Sequence, residues 1–356
     1  MAGRLTLTLL VLPFLSVPAS AEELPEFDPH LSTWKATHIV VTEGGKVVES
    51  WKGDLKVGDA LPEGVAPLTK MPVPGLAPWV KQSGEPAKAV SGKRMVLFLA
   101  YAVPRNTGDK KPVWLGANWR SPPREADVVW IEDDHVYSVY QPRNPGGYEL
   151  IRGGSVAGLK QRVDLGLAVR AQFDAARAEP DLARRVERLA AVQAVVAAYV
   201  GYYGVHDLTE ELRKCGTAAV PYLAGWAADR NEDHWSAALY ALARVGDDAF
   251  DAMVKILDQE VQYWKAVAEE GRPEEGTDRR TPARAHVTHA PYRLHSVLQA
   301  AHGMRLSARN KERLRSHTGL QELDKVIGKP GMKQDEATMA AAREILRAIL
   351  AGKSRD

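Results

Sequence analysis

Cys215-Gly216-Thr217-Ala218-Ala219-Val220-Pro221-Tyr222-Leu223 decides the fold, because its pattern returns thirty residues further on. Gly216, Ala219, Val220, Leu223 and Ala227 recur as Gly246, Ala249, Phe250, Met253 and Leu257. Each stretch is a glycine followed by apolar positions at helical spacing, so the repeating unit is predicted to be a pair of helices. A short helical pair cannot bury its apolar face alone and becomes stable by stacking on its neighbours. Stacked pairs offer an extended surface of the kind that holds another molecule, and no catalytic motif accompanies the echo.

Helical patterning extends outward from this core in both directions. Upstream, Ser155 is placed to cap a helix, with Leu159, Val163 and Leu167 following at four-residue spacing, and Glu179-Pro180-Asp181 marks a break. Trp235, Ala238, Leu239 and Leu242 form a stripe at i, i+3, i+4 and i+7, and Phe250, Met253, Val254, Leu257, Val261 and Trp264 extend another. The polar, charge-rich segment 271–282 reads as a loop, and two further helices are predicted near 291–305 and 335–351, the last set off by Gly328 to Gly331. Cys215 is the only cysteine, so no intramolecular disulfide forms, and a small buried residue is the expected role.

Residues 34 to about 150 read as strands. Ile39-Val40-Val41 and Val47-Val48 are β-branched runs flanking Gly44-Gly45, and Lys52-Gly53-Asp54 and Gly58-Asp59 read as turns. Six prolines between 62 and 86 (Pro62, Pro67, Pro72, Pro74, Pro78 and Pro86) argue for a long surface loop. Met95-Val96-Leu97-Phe98-Leu99 is a continuous apolar run, which predicts a strand buried on both faces. Val128 to Ile131 and Val136 to Tyr140 flank Asp133-Asp134 as a predicted hairpin.

The helical half resembles HEAT-like repeats. The resemblance rests on Cys215 to Leu223 and on Ala237-Ala238-Leu239-Tyr240-Ala241-Leu242-Ala243-Arg244-Val245-Gly246. It implies an interaction scaffold. The strand half resembles the OB-like barrel of netrin modules and tissue inhibitors of metalloproteinases. That likeness rests on Thr37 to Val41, on Val47 to Asp59 and on Gly92-Lys93-Arg94-Met95-Val96-Leu97-Phe98-Leu99. The cysteine through which those inhibitors chelate a metal is absent here, so protease inhibition by that route is not implied. The overall layout is similar to that of uncharacterised exported proteins of planctomycete-type bacteria. The predicted class is therefore α+β: an N-terminal antiparallel OB-like β-barrel followed by an α-helical HEAT-like domain.

Arg4, the apolar run Leu5 to Val17 and Ala19-Ser20-Ala21 form the pattern of a secretory signal peptide. The expected organisation is a signal peptide over 1–21, a β-rich domain over 22–154, a connecting helix over 155–180 and a helical domain over 181–356. The expected destination is periplasmic or secreted. No later stretch is apolar enough for a membrane span. The net charge of +2 falls to about +1 without Arg4, so the overall field favours neither nucleic acid nor membrane.

Candidate chemistry is sparse. His286, His289, His295, His302 and His317 could supply ligands to zinc or copper, but no Asp, Glu or Cys accompanies them at motif spacing. Gly153-Gly154-Ser155-Val156-Ala157 half-matches the nucleophile elbow, yet a capping serine explains the same residues. Glu132-Asp133-Asp134 offers carboxylates at what reads as a solvated turn. Arg305, Arg309, Lys311, Arg313 and Arg315 stand against one acid, Glu312, and could meet an anionic polymer of the cell wall. Trp51, Trp235 and Trp264 read as core, whereas Trp79, Trp114 and Trp119 lie in loop-like stretches open to a binding role. The resulting expectation is an exported, non-enzymatic scaffold for a protein or a cell-envelope polymer, with no catalytic, cofactor or metal residue assigned. The alternative is a hydrolase using Ser155 or a metal-dependent enzyme using the late histidines.

Overall fold

The computed structural model describes residues 27–77, 90–103, 111–117, 127–140, 149–229, 235–270, 282–327 and 336–353. The expected leader, Pro78, Pro86, Trp79, Trp119, Gly328 to Gly331 and the loop before Pro282 lie outside these residues, as do the side chains of 282–289.

Eight strands form one sheet: β1 (His38–Glu43), β2 (Lys46–Lys52), β3 (Gly75–Leu76), β4 (Arg94–Ala102), β5 (Val113–Gly116), β6 (Val128–Glu132), β7 (His135–Tyr140) and β8 (Glu149–Ser155). Their order is β2-β1-β4-β6-β7-β8-β3, with β5 also on β4, and β3–β8 is the parallel pair in an otherwise antiparallel sheet. The β6–β7 hairpin turns at Asp133 and Asp134, with φ of 46° and 63°, the left-handed pair that suits the strand twist.

The sheet is open, which corrects the expected closed barrel. β2 and β3 end the strand order and do not pair with each other. The chain between them spans the gap instead. Ala60 bridges to Lys46, Gly75 and Leu76 lie along β8, and Leu61, Val65 and Leu68 in between are buried against the sheet. The prolines deny this segment a continuous hydrogen-bond ladder, so it covers the face without closing it. This stretch of the proline-rich segment is thus packed, where a surface loop is expected, because the apolar residues between its prolines have a sheet face to fill.

That cover accounts for the unbroken apolar run of β4. Val96 and Phe98 face one side with Ile39, Val41, Phe27 and Ala36. Met95, Leu97 and Leu99 face the other with Leu61, Val65 and Leu68. A strand buried on both faces has no use for alternation.

Helix α1 (Pro29–Lys35) precedes the sheet and α2 (Val156–Arg177) follows it. Ser155 caps α2, its hydroxyl accepting from the Gly158 amide at 3.1 Å. The first turns of α2 place Leu159 and Val163 in the sheet core, while Val169, Phe173 and Ala176 belong to the helical core. Trp34 of α1 also joins the helical core, stacked at 5.1 Å on Phe173, with its indole donating to Asp207 at 2.8 Å.

Ten more helices are described: α3 (Leu182–Ala191), α4 (Gln193–Val200), α5 (Tyr202–Lys214), α6 (Val220–Ala228), α7 (Trp235–Val245), α8 (Phe250–Glu270), α9 (Pro282–His302), α10 (Ala308–Arg315), α11 (Thr318–Val326) and α12 (Glu336–Leu350). From α5 onward they pack in two layers. Helices α5, α7, α9 and α12 contact one another in succession, and α6, α8 and α11 do the same behind them.

The thirty-residue echo is a repeated turn. Gly216 and Gly246 both take positive φ, at 63° and 86°, and each leads through a 3-10 turn (Gly216–Ala219 and Asp247–Ala249) into a helix. The repeated positions Ala219, Leu223 and Ala227 are buried, as are Ala249, Met253 and Leu257. Thr217 donates to Asp248 at 2.9 Å, tying one turn to the next. A buried ion pair joins the layers. Arg293 of α9 meets Glu260 of α8 at 2.7 Å and donates to the Ala227 carbonyl at 2.8 Å.

Helix α9 begins at Pro282 and carries Pro291 within it, where a start near Pro291 is expected. Proline costs the helix one hydrogen bond, but Ala290, Leu294, Val297 and Leu298 continue one buried face across it. Helices α10 and α11 are additions to the expected pair. In α10 only Leu314 is buried, so its sequence carries no stripe to read.

Candidate functional site

The basic run singled out in the sequence forms an exposed rim at the C-terminal end of the stack. Ser307 caps α10, and Asp247 accepts from the Ser307 amide at 2.8 Å and from Asn310 at 2.9 Å. These bonds hold the Asp247 carboxyl below its usual range. Arg313 pairs with Asp251 at 2.9 Å on the same flank. The opposite flank carries Lys311 and Arg315, four residues apart, and the Arg315 side chain lies against Gly352.

Beside Gly352 a groove of about 490 Å³ is lined by Ala340, Arg343, Glu344, Arg347, Ala348, Ala351 and Lys353. The end of the chain is fixed there by His302, whose Nε2 meets the Lys353 carbonyl at 2.8 Å. Arg347 lies 3.7 Å from Asp324 and Arg315 3.8 Å from Glu312, both long for ion pairs. Among the described residues Arg343 and Lys353 have no carboxylate within ion-pair distance, and Arg343 Nε is buried with no hydrogen-bond partner. Three cations and one carboxylate, Glu344, thus line the groove, which leaves it with a positive excess that favours an anion. Arginine forks suit phosphate or carboxylate groups.

The other predicted candidates do not assemble. The Ser155 hydroxyl is held by its cap. His135, its partner across the β7–β8 ladder, instead directs Nδ1 at the Asp133 carbonyl (2.9 Å) and Nε2 at Arg152 (2.6 Å). The described late histidines disperse. His302 binds a carbonyl, and His317 caps α11 while meeting Asp258 at 3.2 Å. The His286 and His289 side chains lie outside the description. Among the described residues no three His, Cys, Asp or Glu side chains converge as metal ligands. Glu132 accepts from the Ser91 amide and hydroxyl at 2.8 and 2.7 Å, so it closes a turn. The Cys215 thiol is buried, and that burial pushes its pKa up, which favours the protonated form.

A constellation missed in the sequence lies at the corner of β1, β4 and β5. His38 is 9% exposed, with Nδ1 at 2.8 Å from Thr37 Oγ1 and Nε2 at 2.7 Å from Asp54 Oδ1. Thr37 is exposed and also accepts from the Tyr101 amide at 2.7 Å. Trp114, in β5 where a loop is expected, packs edge-on against His38 at 4.8 Å, and Tyr101 stacks on it at 5.0 Å. Gly53 admits the contact: its φ is 94°, and an added Cβ would stand 2.2 Å from the imidazole. The only signals in the sequence were a Thr-His pair opening a strand and a Gly-Asp turn fifteen residues later.

No protein-family model, curated protein or solved structure matches this chain.

Proposed function

We propose that this chain is an exported binding scaffold that holds an anionic cell-envelope polymer along the basic groove at the C-terminal end of its helical stack. The observation that carries the reading is the convergence of Arg343, Arg347 and Lys353 on one groove, with Arg315 against the adjoining Gly352, in a chain of net charge only +2. The two layers and the repeated glycine turns support a HEAT-like reading of the stack, and the half-wrapped sheet supports an OB-like ancestry for the other half. Export rests on the leader pattern. Intact-mass analysis of the secreted protein is expected to show Glu22 first, and retention of Leu5 to Val17 would remove the export claim.

The binding test uses the full chain with a poly(glycerol phosphate) polymer and, in parallel, a neutral glucan. Retention on the phosphate polymer should weaken as salt is raised, because exposed charges are screened. It should fall about ten-fold or more in an Arg343→Ala, Arg347→Ala variant, given the strength of arginine–phosphate bonds. Equal retention on the glucan, or a variant that binds as the parent does, would overturn the reading.

A further inference from the structure

The corner of the sheet holds groups in an order that the scaffold reading does not use: a hydroxyl, an imidazole and a carboxylate, each within hydrogen-bond reach of the next. The protons on these groups can be placed. The hydrogen bond from His38 holds the Asp54 carboxyl below its usual range, so Asp54 is an ionised acceptor. In the neutral imidazole an ionised Asp54 takes the proton on Nε2, which leaves Nδ1 as a lone pair facing Thr37 Oγ1. The Leu99 carbonyl is the competing acceptor for the Thr37 proton, and at 3.4 Å it is the longer contact. The Tyr101 amide occupies one lone pair of Oγ1, on a residue that is exposed.

We infer that Thr37, His38 and Asp54 form an acyl-transfer site, in which Thr37 is the nucleophile toward carboxylic esters of small apolar acyl groups. This arrangement meets the geometric requirement for an activated hydroxyl, a base in contact and a third group orienting the base. Trp114 and Tyr101 flank it as an aromatic wall, with Val103 and Val113 exposed beside them, and this selects an apolar acyl group. Oγ1 attacks the ester carbonyl carbon while its proton passes to Nδ1. The tetrahedral adduct then expels the alcohol, which leaves with that proton. Water next attacks the acyl-threonine, gives its proton to Nδ1, and the carboxylic acid departs as Oγ1 regains a proton from the imidazole. The net change is ester and water to acid and alcohol. Gly53 is a positioning residue, since its missing Cβ lets the turn bring Asp54 against the ring.

Two probes of the full chain test this inference independently of polymer binding. With 4-nitrophenyl acetate, a burst of 4-nitrophenol is expected with the acetyl group recovered on the peptide containing Thr37. A fluorophosphonate reagent should modify the same residue. Thr37→Ser should keep both reactions. His38→Gln should slow them about a hundred-fold, the scale of general-base assistance. Asp54 is 94% exposed, so Asp54→Asn leaves packing intact and serves where His38→Gln does not fold. It too should slow labelling. Absence of any label on Thr37, or equal labelling rates in the parent and Asp54→Asn, would overturn the assignment.

Discussion

The helical stack buries one continuous apolar core, whereas the sheet buries a separate cluster on each of its two faces. In the stack, the link between successive repeated turns runs from Thr217 to Asp248, and helices further apart in the chain, such as α9 and α12, also pack together. In the sheet, β4 lies between β1 and β6, and the face it shares with β1 is covered by residues from the segment 61–68 that follow neither strand directly. Contacts of short range carry their own signature in local periodicity. Contacts of long range leave it only in composition, and they cost more loop entropy to form. The sheet therefore depends on a cover whose identity nothing in its own strands announces.

The contrast is sharpest where the two regions share residues, and Trp34 is its strongest test. It stands in front of the sheet in the chain but is buried in the helical core. Trp34→Ala should destabilise the protein by about 3–5 kcal/mol, the usual scale for removing a buried tryptophan. Urea unfolding followed by helical circular dichroism reads this, and a midpoint unmoved by the change would separate the two regions after all. The next effect is smaller and tests the echo itself. Gly246→Ala should cost about 1–3 kcal/mol, from the strain of positive φ and a Cβ set 3.2 Å from the Arg305 carbonyl. Gly216→Ala meets open space and should cost about 1 kcal/mol, from φ alone. Equal thermal shifts would show that the two turns are not packed differently.

A pH-dependent effect concerns Lys52, which donates to the Thr33 and Ala36 carbonyls at the end of α1. Burial, reinforced by Arg170 and opposed by Asp174, pushes its ammonium down to about 8. The unfolded chain keeps this proton to higher pH, so the cost of burying the charge is fully present below the folded value and is relieved as pH rises toward the unfolded one. Melting temperature relative to a Lys52→Met variant should therefore rise between about pH 8 and about pH 10.5. A flat difference would mean that the amine is solvated.

Much of the helical half was legible because its signals are local. Ser155 caps where its position said it would, Glu179-Pro180-Asp181 separates two helices, and the repeated glycines take the conformation that only glycine adopts freely. Pro291 misled because a continuous buried face overrode the lost hydrogen bond, and α10 was hidden by its charge. In the sheet the run Met95 to Leu99 told correctly of burial on both faces, but nothing in it told what covers them. The basic run at 305–315 was visible, whereas its partners Arg343, Arg347 and Lys353 join it only through the packing of α10 on α12. The His38 corner was invisible because Asp54 reaches it across a turn whose geometry hangs on one missing Cβ.

Helix α2 has one end in each core, and α1 lends Trp34 to the array that chain order would assign to residues far downstream. A scalpel applied between the strands and the helices at residue 155 would leave the helical fragment with a tryptophan-sized hole and an Asp207 carboxylate stripped of its indole partner. Anyone preparing the helical stack alone should carry the α1 peptide along, supplied in trans or spliced ahead of Val156, since the chain stores part of its later architecture in the helix that precedes its first strand.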